Sequence, residues 1–343
     1  MTTTLTLHDF LDQVGANPRF FGLGRRIEEI PAERFAAFEA AGEPWPQPFQ
    51  QAAWIGILFD DTRSGEPHLW FLRFPLDERG LLVQAARDEF LRRIIDSAEQ
   101  PEAARENLDE NPFGFRPNEA QMASLHARIA DVPSPHYTHA LEYFRGEQGF
   151  EQWQFVGLQG IADLAARHAE HAGILAAAIP RLPAEPFNVL CGCLENEAIG
   201  SDLCAALAGR LDTELASDAP DPVRMAAALR GLSNASDREC AVAAVRRALD
   251  SPLGSHPEIL AAIAGRAWET LYDDGLRQLF LRHLADSGQR AFDSLLADLL
   301  FLPILRRLLL ADIRSEAQPP MVRQAVAAFV QRFAKPANGK QTP

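Results

Sequence analysis

The sequence predicts a mostly α-helical protein: a small N-terminal α+β domain with a β-hairpin, followed by a HEAT/armadillo-like helical repeat (α-solenoid) domain. Three observations lead to this fold class. Residues 52–74 have the composition of a hairpin, residues from 118 onward show helical spacing without a strand signal, and prolines recur at a nearly constant interval in the second half. With 343 residues the chain is long enough for two domains.

The predicted N-terminal domain, residues 1–100, begins with two helical segments. Apolar residues at helical spacing cover residues 5–14, and a second such segment covers residues 25–41. The second segment ends at Gly42, which is followed by three prolines within residues 44–48. Because proline fixes φ and lacks an N–H, that stretch cannot be helical.

The hairpin is predicted over residues 52–74, and a helix that covers it over residues 80–96. Ala52–Phe59 and His68–Phe74 are rich in aromatic and β-branched residues, and the polar segment between them predicts a turn. Both faces of the second strand are largely apolar, so both need a cover. The helix supplies one, because its apolar residues repeat every four positions. Since a lone hairpin is marginal in water, we expect a third strand, more helix or a partner chain against it.

An acidic, proline-containing segment, residues 101–117, is the predicted linker between the two domains. The helical repeat domain is predicted over residues 118–335, and residues 336–343 are predicted to be a flexible tail. The first helices of the repeat domain are predicted at about 118–131, 136–146 and 151–171.

Three prolines mark the repeat, and each opens an apolar helical stretch: Pro186, Pro222 and Pro257, at spacings of 36 and 35 residues. Proline suits the first helical turn, where its missing N–H would have no partner. The second helices of the pairs open near residues 199, 236 and 273. Further pairs are predicted at 290–313 and 318–334. This period is close to that of HEAT and armadillo arrays, in which each pair buries its apolar face on its neighbours. The alternative is a compact helical bundle in which the spacing reflects helix length only.

Composition limits the chemistry that the chain can perform. Its net charge is −14, and an acidic chain repels phosphate backbones, which disfavours nucleic acid as a partner. A local arginine face is the remaining argument for nucleic acid, but residues 277–314 carry six arginines against four aspartates, an excess of two. The chain has two lysines, Lys335 and Lys340, both near its C-terminal end. Phosphate-binding P-loops, kinase sites and Schiff-base chemistry each need a lysine within the fold and are therefore excluded.

The sequence also indicates where the protein works. Residues 1–15 contain two aspartates and no basic segment, so they do not resemble a signal peptide. The most apolar stretch, Leu295–Leu310, is interrupted by Asp298 and Pro303, whereas a membrane span needs roughly 20 apolar residues. We therefore expect a soluble, cytoplasmic protein with no membrane partner. Its four cysteines are then expected to be reduced and buried.

No motif predicts a cofactor. Gly22-Leu-Gly24 begins a dinucleotide-binding pattern, but residue 27 is Ile and no clear strand precedes the first glycine. Asp60 and Asp61 would suit a nuclease metal site, but the next strand offers neither an acid nor a lysine. A solvated turn explains these two aspartates.

No metal site is predicted either. Cys191 and Cys193 lie two positions apart on a predicted helix, so their side chains face away from each other. Two further pairs have the spacing of a shared helix face, His136 with His139 and His168 with His171. Surface or capping roles explain these histidines, because the first of them lies in a proline-flanked loop.

The small-ligand candidate is the segment that leaves the hairpin. Asp77 fits an N-cap at the start of the predicted helix, which explains its presence by structure alone. A helix N-terminus also attracts anions, and Arg73 and Arg79 flank this one. Arg73, Asp77 and Arg79 are thus the predicted anion-binding site, and no catalytic residue is predicted.

Several segments resemble an uncharacterised bacterial family, the domain of unknown function 3549 (DUF3549). They are Leu23–Arg26, the proline stretch to Pro48, Trp70–Gly80, Asn111–Phe115 and Trp153–Ile161. The resemblance covers nearly the whole chain. It implies that the full length is one functional unit, and it implies no activity, ligand or catalytic residue.

Three functions are therefore open. The leading expectation is a non-catalytic protein-interaction or scaffold module that uses the helical-repeat surface, by analogy with other solenoids, and whose acidic charge favours basic partners. An exposed hairpin edge could also pair with a partner strand. The alternatives are an enzyme, hydrolase-like, whose site is assembled from distant residues, and a nucleic-acid-binding protein. The sequence leaves the partner and the oligomeric state open.

Overall fold

The computed structural model describes residues 5–60, 65–99 and 111–334. Within these residues the chain is mostly helical, with a small antiparallel sheet near the N-terminus. Residues 101–110 of the predicted linker and the predicted tail, 336–343, lie outside the described residues.

The chain forms two compact units. The first reaches to Leu125 and includes Phe301–Pro303, and the second takes in His126–Leu300 and the residues from Ile304 onward. The predicted domain boundary at residues 101–117 stays a prediction.

The described residues of the first unit form a four-stranded sheet, three complete helices and the first part of a fourth. The strands are β1 (Arg19–Gly22), β2 (Glu28–Ile30), β3 (Ala52–Asp60) and β4 (Pro67–Pro75). The helices are α1 (Leu7–Gln13), α2 (Ala32–Glu39) and α3 (Gln84–Glu99). The strand order is β2-β1-β3-β4, and all neighbours are antiparallel. The predicted hairpin is confirmed as β3 and β4, and β1 is the third strand that a stable hairpin requires.

Two predicted helices begin later than expected. Residues 25–41 were predicted as one helix, but Glu28–Ile30 forms β2 and α2 begins after Pro31. Pro31 lacks the N–H that a helix interior needs, so the residues before it pair with β1 instead. The covering helix was predicted from residue 80, whereas α3 begins at Gln84. Gly80 has a φ of +78°, a left-handed conformation that ends regular structure and turns the chain before α3.

One face of the sheet packs into the core of this unit. Phe20, Ile55 and Leu72 are each at most 2 % exposed and belong to a cluster completed by side chains of α1, α2 and α3. The other face receives Phe115, whose ring meets Trp54 edge-on at 4.7 Å. Phe115 is held there because residues 113–115 hydrogen bond to β4, so the described end of the predicted linker lies against the sheet.

Apart from one isolated β-bridge between Ile199 and Ala235, the regular secondary structure in the described residues of the second unit is helical. Its helices begin with α4 (Glu119–Ile129, shared with the first unit), α5 (Tyr137–Phe144), α6 (Leu158–Ala166), α7 (Ala172–Ala178), α8 (Ala184–Leu194) and α9 (Ser201–Leu215). They continue with α10 (Pro222–Leu232), α11 (Arg238–Leu249), α12 (Pro257–Gly265) and α13 (Asp274–Asp286). The last are α14 (Gln289–Leu299), α15 (Pro303–Ile313) and α16 (Pro320–Ala334).

The proline landmarks fall where helices begin. Pro222 and Pro257 are the first residues of α10 and α12, and Asp221 and His256 cap these two helices. Pro186 lies two residues inside α8, which begins at Ala184. The second helices begin at residues 201, 238 and 274, within two residues of their predicted positions. Residues 318–334 were predicted as a helix pair but form the single helix α16, because no breaker follows Pro320.

The segment predicted as one helix over residues 151–171 is divided. A 3₁₀ helix covers Phe150–Phe155, α6 covers Leu158–Ala166, and a further 3₁₀ turn covers His168–Glu170. Val156 is extended, and Gly157 is the residue from which α6 starts. These breaks make α6 and α7 a short helix pair ahead of α8.

Helices of the second unit pack in two layers. In the first layer each helix contacts the next in the order α6, α8, α10, α12 and α14. In the second layer the order is α7, α9, α11, α13 and α16. A buried carboxylate ties the first layer together: Glu195, at the end of α8, lies 2.6 Å from Arg230 Nε of α10 and 3.0 Å from Arg266 Nε after α12.

Candidate functional site

The predicted anion site is not assembled by the fold. Asp77 caps no helix, because its carboxylate accepts the main-chain N–H groups of Arg79 and Leu81, both at 2.8 Å, inside the loop before α3. The Arg73 guanidinium lies over the Trp54 ring at 5.2 Å, and Arg79 is exposed. Among the described residues no contact joins these three side chains, and Asp77 would repel an anion placed beside them. Their role as a binding site stays a prediction that this geometry does not favour.

The glycine pattern also lacks its helix. Gly22 ends β1, so a strand does precede Gly22-Leu-Gly24, contrary to the expectation. The chain then enters β2 rather than a helix, and a pyrophosphate would find no helix N-terminus there.

His168, His171, Cys191 and Cys193 contact neighbouring groups of the protein or are buried. The ring of His171 lies 2.5 Å from the Tyr137 hydroxyl, and His168 contacts the carbonyls of Ala165 and Ala198. Cys191 and Cys193 are buried in α8, and burial raises the pKa of the Cys191 thiol. In the part of the chain that the structure describes, no group of three His, Cys, Asp or Glu side chains is placed to hold a metal ion.

Cys204 and Cys240 lie on two neighbouring helices of the second layer, α9 and α11. The Cys204 thiol donates to the Ile199 carbonyl at 3.9 Å, and burial raises the pKa of this thiol to about 12. A thiol of that pKa stays protonated near neutral pH and is a poor nucleophile. Cys240 is partly exposed, so the expectation of four buried thiols holds for the other three.

One serine lies beside a histidine. Ser255 Oγ is 2.9 Å from His283 Nδ1 and 2.8 Å from Asp286 Oδ2. In a catalytic triad the carboxylate contacts the histidine, and the serine hydroxyl donates a hydrogen bond to the same histidine. Here the serine donates to Asp286, and the aspartate contacts the serine rather than the ring. The arrangement anchors the loop before α12 to α13 and gives no activated nucleophile.

The cationic stretch at residues 277–314 is interrupted by burial. Arg277 is 4 % exposed and is paired with Asp312 and Asp274. Arg277 is therefore not part of the arginine surface that this stretch was expected to form.

The structure places a groove along the outward face of α11. It has a volume of about 660 Å³ and is open to solvent. Its lining residues are Arg238, Glu239, Val242, Ala243, Arg246, Arg247, Tyr272 and Asp273. The six residues from α11 lie at positions i, i+1, i+4, i+5, i+8 and i+9, which share one helix face. Tyr272 and Asp273, which precede α13, form the opposite wall.

Arg238 is fixed at one end of this groove. Its guanidinium lies 4.7 Å from the centre of the Tyr272 ring, and Nη2 donates to the main-chain carbonyl of Glu269. Asp237 positions this arginine by capping α11: its carboxylate accepts the N–H groups of Glu239 and Cys240 at 3.0 and 3.4 Å. No carboxylate among the described residues contacts the Arg238 guanidinium.

The charges of the other two arginines of the groove are partly neutralised by nearby carboxylates. Arg246 Nη2 lies 3.0 Å from Asp273 Oδ1, and the same oxygen accepts the N–H of Leu276 at 2.7 Å. Arg247 Nε lies 2.7 Å from Asp212 Oδ1 of α9, an ion pair whose N–H is not aimed at that oxygen. The groove therefore has an apolar floor and three arginine guanidiniums. Arg246 and Arg247 are paired with carboxylates, whereas Arg238 contacts no carboxylate among the described residues.

The sequence reasoning missed this groove. The signal was present, because arginines and small apolar residues alternate on one face of a helix whose N-cap, Asp237, is recognisable. The residues of the facing wall come from another helix pair, and no local pattern connects Arg238 with Tyr272.

Comparison with known proteins shows the family. The family model described as "Protein of unknown function (DUF3549)" matches residues 2–330. The chain belongs to this family. The comparisons with curated proteins and with solved structures gave no match. Among the described helices of this DUF3549 member, none is both long and apolar enough to cross a membrane.

Proposed function

We propose that this protein is a non-catalytic interaction module that presents the second helix layer of its repeat to a protein partner. The observation that carries the proposal is the groove on α11, an open concave surface in the middle of that layer. Ligand sites in proteins are commonly concave, with an apolar lining and a few polar groups that fix orientation.

We further propose that the stacked pairs form a HEAT-like α-solenoid. The support is the order of contacts, since each layer runs from helix to helix along the chain and each pair contacts its neighbours. Such arrays present extended surfaces, and most of their known ligands are proteins or peptides. This step rests on analogy between folds.

A partner search in two stages tests the proposal. The tagged full chain would first capture candidates from a lysate of the source organism, and each candidate would then be purified and titrated against the chain. Hydrogen exchange of the resulting complex would locate the contact surface. We expect saturable binding by a purified candidate, with slowed exchange in α9, α11 or α13. Protection confined to other helices, or no purified candidate that binds, would overturn the proposal.

A further inference from the structure

We propose that the α11 groove binds an acidic peptide segment of the partner, with a carboxylate at Arg238 and an adjacent apolar side chain on the floor. This inference rests on the proposed function and names the chemistry of its partner. It also reverses the expectation, drawn from the net charge, of a basic partner.

Arg238 carries the recognition of charge. A guanidinium is a planar fork that matches a carboxylate with two parallel hydrogen bonds. This fork is held in place by the Tyr272 ring and by one carbonyl, so little side-chain freedom remains to be lost on binding. Its contacts within the described residues use one of its five N–H donors, which leaves donors for a ligand.

The remaining charges limit how acidic the ligand can be. The lining holds Arg238, Arg246 and Arg247 against Glu239 and Asp273, and Arg246 is already paired with Asp273. One or two carboxylates would complement this groove, whereas a polyanion would not. Nucleic acid binding rests on many phosphate contacts, so an acidic peptide fits better than an oligonucleotide.

The floor supplies the apolar contact and sets the length. Val242 is half-buried and Ala243 is exposed, and both lie between the arginines at the two ends. From Arg238 to Arg247 the helix rises by about 14 Å, at 1.5 Å per residue. A peptide of about four extended residues spans that distance. The predicted motif is therefore one or two acidic residues next to a large apolar one.

The experiment uses a displayed library of random dodecapeptides selected against the full chain. Enriched peptides would be synthesised with a fluorescent label and titrated by anisotropy at low salt. We expect them to carry an acidic residue beside a large apolar residue, and to bind at least ten-fold more weakly when that acid is changed to its amide. Enrichment of neutral or basic motifs, or no enrichment, would overturn the inference.

Matched variants locate the site. Arg238→Ala should weaken binding by ten-fold or more, whereas Arg282→Ala, an exposed arginine of α13 outside the groove, should leave it within two-fold. Ala243 is exposed, so substitutions there keep the fold: Ala243→Glu should weaken binding and Ala243→Arg should not. Equal binding by the chain and its Arg238→Ala variant would contradict the proposal.

Two outcomes separate this inference from the proposed function. In the first, a purified partner slows hydrogen exchange in the second layer while the selected peptides contain no acidic residue. In that case the proposed interaction function stands, and the inference of an acidic peptide ligand is wrong. If a single-stranded 12-nucleotide oligomer displaces the peptide at equal concentration, the groove belongs to nucleic acid and the inference fails.

Discussion

Helices α10 and α11 are consecutive, yet α10 of the first layer buries seven of its eleven residues and α11 of the second layer buries five of its twelve. The buried residues of α10 include the uninterrupted run Met225–Leu229, and α10 as a whole contacts α8, α9 and α12. Those of α11 occupy one side only, and the opposite side forms the groove. Of these two helices, α10 thus contributes mainly to the core, and α11 presents one accessible face.

Two sets of ion pairs that join successive repeats show the same contrast between burial and exposure. Glu195 in the first layer is 5 % exposed and bridges two arginines from successive repeats. The Arg246–Asp273 pair in the second layer also joins successive repeats, but its side chains are 43 and 42 % exposed. An exposed pair contributes little to stability because water and salt screen it, whereas a buried carboxylate depends on its partners. The Glu195 ion pairs therefore depend on burial, whereas the Arg246–Asp273 pair leaves its two charged groups accessible to solvent.

The largest expected effect is a cavity in the first layer. Leu229 of α10 is fully buried, so Leu229→Ala should lower the free energy of unfolding by about 3 kcal/mol. Urea unfolding followed by circular dichroism measures this change. Val242→Ala in the half-buried floor of the groove is the matched control and should cost less than about 1 kcal/mol. Equal losses for the two variants would break the comparison between the layers.

Removal of the first-layer carboxylate should have the next largest effect. Glu195→Ala removes the buried carboxylate that Arg230 and Arg266 share, and we expect a loss of about 2 kcal/mol in the same unfolding measurement. Arg246→Ala removes the exposed pair of the second layer and should cost about 0.5 kcal/mol or less. A larger cost for Arg246→Ala than for Glu195→Ala would show that burial does not decide the strength of these pairs.

The N-cap of α11 should contribute less again. Asp237→Ala removes the acceptor of two main-chain N–H groups, at a cost of about 1 kcal/mol. Hydrogen exchange should accelerate at the start of α11, and the peptide affinity of the groove should fall because Arg238 is the first helical residue. Asp218→Ala, at an exposed aspartate in the turn after α9, is the control and should change neither. Unchanged exchange at Glu239 and Cys240 in Asp237→Ala would refute this role of the cap.

The smallest expected effect depends on pH and concerns the contact between the layers. Hydrogen bonds from Arg224 of α10 hold the pKa of Glu214, on α9, below its ordinary value of 4.5. A lowered pKa in the folded state means that this contribution is present above pH 4.5 and is lost as the pH falls through the folded pKa. Glu214→Gln should therefore cost roughly 0.5 kcal/mol near pH 7 and less in acid. Unfolding measured at pH 7 and pH 3 checks this, and a cost that grows in acid would reverse the sign.

Much of the first unit could be predicted locally, and its errors have local causes. The hairpin follows from β-branched and aromatic composition, and both of its strands lie where the sequence predicted them. The short strand β2 was missed because its three residues carry no alternation of their own and depend on pairing with β1. The anion site was predicted from Asp77 as the N-cap of the covering helix, whereas α3 begins at Gln84, after the loop that the Asp77 carboxylate closes.

By itself, the sequence determined where the helix pairs of the second unit begin, because proline and the capping residues act within a single turn. It also determined which lysine chemistry is excluded. Tertiary structure decided which arginines are accessible. Arg277 and Arg238 are both near the start of second-layer helices. The Arg277 side chain is buried against Asp312, whereas the Arg238 side chain lies over the Tyr272 ring and is exposed to solvent. Their surroundings come from residues 34 or 35 positions away, and burial by a distant segment leaves no trace in the local pattern.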